Sequence, residues 1–184
     1  MRSVPRQGRL STRRAFTLVE VIASIVIVAV LAATSANLVR DTTSGYADAV
    51  TRAGLINDGS AALERLVTGI RDIPLRASIT PAEPSIATIT TNSLTVDGNH
   101  GFALSGTNLR LTVAGVTTTL LGNVSSFQVR AFDQDNAAMA VSLSGNACDP
   151  VRRIELTLTL SRNGVSETLR TRVFLRCMMH GASP

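Results

Sequence analysis

The sequence predicts an α+β protein, one long N-terminal helix packed on a small antiparallel β-sheet, and three observations carry that prediction. From Phe16 the apolar residues run nearly all round a helix to Val39, then narrow to a one-sided stripe that ends at Ile70. No proline interrupts the stretch from Phe16 to Ile73. After Pro84 the hydrophobic period changes from about 3.6 residues to two, the period of strands.

Residues 1–15 read as an unstructured leader, with Pro5 and Gly8 among Arg2, Arg6, Arg9, Arg13 and Arg14. The chain has 18 basic and 13 acidic residues, a net charge of +5. No acid precedes Phe16, and setting the five leader arginines aside leaves 13 basic against 13 acidic residues. The basic excess therefore belongs to the leader. A basic stretch ahead of an apolar segment holds the N-terminus on the cytoplasmic side and sends the rest across. The balanced remainder offers no basic patch with interleaved aromatics, so nucleic-acid binding is not expected of it.

Residues 16–73 are expected to form the helix. At about 1.5 Å per residue, its first eighteen or so apolar residues cross roughly 30 Å of hydrocarbon. Its second half, with Tyr46, Val50, Ala53, Ile56, Leu63, Leu66 or Val67, and Ile70 at three- and four-residue steps, faces protein. Gly45, Gly54, Gly59 and Gly69 each cost about 1 kcal/mol relative to alanine, which makes one of them the expected place for a break. Asp48 and Arg52 are spaced so that they can pair, but a plain solvated face is the preferred reading. Pro74 stops the helix. Glu20 departs from this pattern: an unpaired acid in a membrane segment costs on the order of 3 kcal/mol, so it needs a partner or a function.

Residues 74–184 are expected to form an exported antiparallel β domain. Pro74 to Pro84 is a linker by composition, and short strands follow over Ile86–Thr90, Ser93–Val96, Phe102–Leu104, Leu109–Val113, Val116–Leu121 and Val124–Phe132. Asp133 to Pro150 is expected to be irregular. The clearest hairpin joins the alternating Ile154–Leu160 to Val165–Leu175 through Asn163-Gly164, two residues that tolerate positive φ.

Two late cysteines, Cys148 and Cys177, in an exported domain are expected to form a disulfide, worth about 3 to 4 kcal/mol for a loop of about 30 residues. The alternative is two buried free thiols. No catalytic set is visible: His100 and His180 have no acids at metal-ligand spacing, no nucleophile elbow or phosphate-binding loop occurs, and the 3% aromatic content without tryptophan argues against an aromatic-lined pocket. An enzyme, a metal or an organic cofactor is therefore not expected. Asp133 and Asp135 faintly suggest a calcium loop, but lack its glycine and bidentate glutamate, and read as a turn.

Arginines, then Phe16-Thr17-Leu18-Val19-Glu20-Val21 and the apolar run, together resemble the type IV pilin signature. The resemblance covers the leader and first helix, and the helix-then-sheet layout agrees with a pilin-like fold. It implies a cut by a prepilin peptidase between Ala15 and Phe16, Ala15 standing where glycine is usual, and N-methylation of the new Phe16 amine. It also implies that Glu20 pairs with the Phe16 amine of a neighbouring subunit during assembly. The segment from Gly45 to Ile73 weakly resembles minor pilins, J-type minor pseudopilins and the corresponding subunit of mannose-sensitive haemagglutinin pili.

The expected partners are other pilin or pseudopilin subunits, the prepilin peptidase, an assembly platform and the inner membrane. The protein would cross that membrane once, with its C-terminal domain periplasmic, before joining a type IV pilus or a type II secretion pseudopilus, where the tip, as an initiator, is one expected place. A different class of function is a membrane-anchored binding or adhesion module that forms no filament. That module would tolerate exchange of its first helix for an unrelated span.

Overall fold

The computed structural model describes residues 17–76, 83–97 and 99–178. One long helix, α1 (Leu18–Arg71), packs on antiparallel β-sheets, so the fold is α+β. The chain divides into two compact units at Tyr46 and Ala47.

In the first unit every described residue is exposed, from Leu18, 77% accessible, through Ile25 and Leu31 to Val39. This part of α1 is long and apolar enough to cross a membrane. Its hydroxyls are satisfied within the helix: Ser24 donates to the Glu20 carbonyl at 2.7 Å, Ser35 to Leu31 at 2.7 Å and Thr42 to Leu38 at 2.6 Å. Such back-bonding leaves little polar surface for hydrocarbon to desolvate.

In the second unit α1 buries Leu55, Gly59, Ala62, Leu63, Leu66 and Ile70, residues three and four apart. Nine strands follow: β1 (Ile86–Ile89), β2 (Ser93–Val96), β3 (His100–Ser105), β4 (Asn108–Val113), β5 (Val116–Leu121), β6 (Val124–Phe132), β7 (Leu143–Ser144), β8 (Arg153–Arg162) and β9 (Val165–Phe174). They form two sheets. One has the order β5-β4-β3-β2-β1-β7, a meander closed by a short return strand, and the other is β6-β8-β9. Phe102 of β3 meets Phe127 of β6 edge to face, with ring centroids 5.8 Å apart, and the Val129 amide bonds the Thr91 carbonyl at 2.8 Å, so the sheets share a core.

The β8–β9 hairpin forms as the alternation requires. Ile154, Leu156, Leu158 and Leu160 all point inward, and the two-residue connection carries φ of 53° at Asn163 and 81° at Gly164. Ion pairs tie the helix to this hairpin: Arg52 to Glu167 at 2.7 Å and Asp58 to Arg162 at 3.3 Å.

Several expectations are corrected. The sheet is two sheets. The helix runs unbroken past its glycines, and at Gly59 the missing side chain makes room for the sheet: a Cβ there would collide with Leu169 Cδ1 and lie 3.0 Å from Leu160 Cδ1. The buried stripe begins at Leu55, whereas Tyr46, Val50 and Ile56 are exposed. Arg52, read as part of a solvated face, pairs with Glu167 of β9. The segment expected to be irregular contains β7 and a 3-10 turn at Gly145–Cys148.

The expected disulfide is not formed, and Cys148 and Cys177 are free thiols. Cys148 is fully buried and Cys177 partly so against the same core. Burial pushes both thiols up; the nearby Asp149 carboxylate adds to the effect at Cys148. Asp133 Oδ1 accepts the amides of Asp135 at 3.0 Å and Ala137 at 2.8 Å, so this oxygen closes its own turn.

Candidate functional site

The segment singled out by the sequence is the start of α1. Ala15 and Phe16, the residues flanking the expected cut, lie outside the described residues. Thr17 immediately precedes the helix, and its carbonyl accepts the amides of Glu20 at 3.1 Å and Val21 at 3.2 Å. Its hydroxyl Oγ1 also accepts the Glu20 amide, at 3.3 Å. Thr17 is thus the N-cap, and Glu20 stands at the third helical position with the Thr-x-x-Glu spacing, its backbone amide capped and its carboxylate not returning to the Thr17 amide. This spacing was readable in the sequence and was missed because the same four residues sit inside a louder apolar pattern.

An acid in the first turn also faces the positive end of the helix dipole, a favourable term of about 0.3 to 1 kcal/mol. Among the described residues the Glu20 carboxylate has no hydrogen-bond or ion-pair partner, since only its backbone groups bond within the chain. The side chain is exposed between Val19, 74% accessible, and the outward-facing Val21 and Ile22. Chemically this is an anion on an apolar helix surface. It gains most from a cation delivered by another molecule, because covering that surface removes the water that now solvates it.

Elsewhere, His100 is exposed at the start of β3 and His180 lies outside the described residues. Cys148 and Cys177 sit in the core of the second unit.

The family model of the prokaryotic N-terminal methylation motif matches residues 10–36, which hold both flanks of the expected cut, Glu20 and the first part of the apolar helix. No curated protein matches the chain. That motif running into a long apolar N-terminal helix supports a type IV pilin-like protein, since the motif is the one that prepilin peptidase processes.

Proposed function

We propose that the chain is a minor pilin or pseudopilin, a structural subunit and not an enzyme, that is anchored in the inner membrane by the first half of α1 and then drawn into a type IV pilus or type II secretion pseudopilus. The observation that carries this reading is the methylation motif at residues 10–36 leading into a helix whose apolar surface is bare.

The mechanism follows from desolvation. Before assembly, lipid covers the apolar surface around Leu18 to Val39; in a filament, neighbouring helices do. Cutting before Phe16 removes the leader arginines that hold the N-terminus on the cytoplasmic side and creates an α-amine on an apolar residue. An incoming subunit then carries one cation at Phe16 and one anion at Glu20. Leaving either charge unpaired in a dry helix bundle costs on the order of 3 to 5 kcal/mol. Only the position in which the Phe16 amine of one subunit reaches the Glu20 carboxylate of another satisfies both, so the pair sets the axial position. A low-abundance role that primes the filament tip fits the weak resemblance of the Gly45 to Ile73 segment.

The test is the mature N-terminus. Protein extracted from membranes of a host with its peptidase is expected to begin at Phe16, with a mass consistent with an N-methyl group. A chain beginning at Met1, or cut elsewhere, contradicts the reading.

A further inference from the structure

The larger sheet ends in β5, Val116-Thr117-Thr118-Thr119-Leu120-Leu121, which has β4 on one side and no strand on the other. Val116, Thr117, Thr118 and Thr119 are exposed, and among the described residues no backbone hydrogen bond joins them to any element but β4. The strand has no charge and no proline, and threonine and valine favour extended backbone. Such an edge is an open template for another strand.

The other sheet edges are defended. β7 is two residues long, and β9 carries Glu167, Arg170 and Arg172. β6 carries Arg130, and Ala138 bridges to its last residue, Phe132. What β5 offers follows from its hairpin. The two-residue connection, with φ of 52° at Ala114 and 79° at Gly115, makes Val113 and Val116 the hydrogen-bonded closing pair. Alternation then turns the amide and carbonyl of Thr118 towards Leu111 and those of Thr117 and Thr119 outward. The one register shift lies beyond Thr119, so this stretch is regular.

We propose that β5 is a homotypic docking edge, which pairs antiparallel with β5 of a second copy about a twofold axis at Thr118. That register sets Thr117 of each chain opposite Thr119 of the other. Both pairs exchange two backbone bonds, so every outward amide and carbonyl of the stretch is satisfied. Charge favours a second copy as the occupant. Arg110 is the one charge in the β4–β5 hairpin, and three strand spacings, about 14 Å or more, separate it from its counterpart, beyond the Debye length at physiological salt. The contact is small, so association is weak and transient. The axis stands perpendicular to the sheet, and α1 lies on the sheet face, so the two helices run in opposite directions. The pair therefore joins copies that are not neighbours in one parallel bundle, and its failure would leave the pairing at Glu20 untouched.

The test is disulfide trapping of the full chain in detergent micelles, where two chains are free to meet in opposite directions. Thr118→Cys, Thr117→Cys and Thr119→Cys are oxidised mildly, and the wild type with its own two thiols gives the baseline. Thr118 faces its copy in a non-hydrogen-bonded pair at a Cα separation of about 4.5 Å, within reach of a disulfide. Thr117 and Thr119 lie roughly 8 to 9 Å from their own counterparts, out of reach. Thr118→Cys should therefore give about tenfold more covalent dimer than either neighbour or the wild type. Adding Thr117→Lys and Thr119→Lys to Thr118→Cys sets like charges directly opposite and should return the yield to baseline. Matching thermal melts would show that the variants fold. Equal dimer from all three positions, persistence of the dimer in the lysine variant, or no dimer from Thr118→Cys, which would leave the edge to a strand of a different protein, would overturn the proposal.

Discussion

At the scale of single residues, Glu155 shows how burial and charge oppose each other. Burial pushes its carboxyl up, but hydrogen bonds from Arg170 and Arg172, with their charges, outweigh that and hold it below the ordinary carboxylate range. A depressed folded-state value contributes stability that is fully present above the unfolded value of about 4.3 and is lost as pH falls towards the folded value. Acid unfolding of the wild type should therefore steepen below about pH 4.3, and Glu155→Gln should flatten that limb in a urea titration at several pH values. Removing both arginines by Arg170→Ala and Arg172→Ala strands a buried carboxylate and should cost about 3 kcal/mol, towards the low end because both arginines are partly exposed. The free thiols give a second residue-scale prediction. Both should react slowly with a disulfide reagent in the native protein, and two per chain should react at once in guanidinium; none reacting there would mean a bridge.

At the scale of elements, the glycines of α1 divide by their surroundings. A Cβ at Gly54 or Gly69 meets nothing within 4 Å, so Gly54→Ala and Gly69→Ala should each stabilise by up to about 1 kcal/mol, about 2 to 4 °C in a circular-dichroism melt. Gly59→Leu should destabilise by about 1 to 3 kcal/mol, because the added side chain drives into Leu158, Leu160 and Leu169. Much of the element plan was legible in the sequence, since it rests on local rules. Alternation fixed β8 and β9, Asn163-Gly164 fixed their turn, and the absence of proline fixed the reach of α1. The contact face of α1 was misread where glycine stands in the stripe: Gly59 adds no hydrophobic signal, yet is buried against Leu158, Leu160 and Leu169 with no room for a side chain. The division into two sheets was not legible, because it depends on which strands β6 and β7 choose to join.

At the scale of the whole molecule, charge behaves in the same way. The count of 13 against 13 beyond the leader is correct, and it hides the segregation produced by strand register, which collects arginines on one face of β6-β8-β9 and leaves Glu155 beneath them. The N-terminal motif at residues 10–36 was legible, because it is local and Glu20 stands out in an apolar run. The Thr17 cap holds the Glu20 backbone amide and leaves its carboxylate unpartnered among the described residues, which sharpens what must be tested. Alanine at position 20 removes both the side-chain length and the charge. Glutamine keeps the size and shape of the side chain and removes only the charge. The decisive measurement is therefore incorporation of Glu20→Gln into filaments, or cross-linking to partner subunits, in cells where peptidase cleavage of the variant is verified. Pairing with the Phe16 amine of a neighbour predicts that Glu20→Gln is cut normally and fails to assemble, as Glu20→Ala does. Wild-type assembly of Glu20→Gln would contradict the pairing.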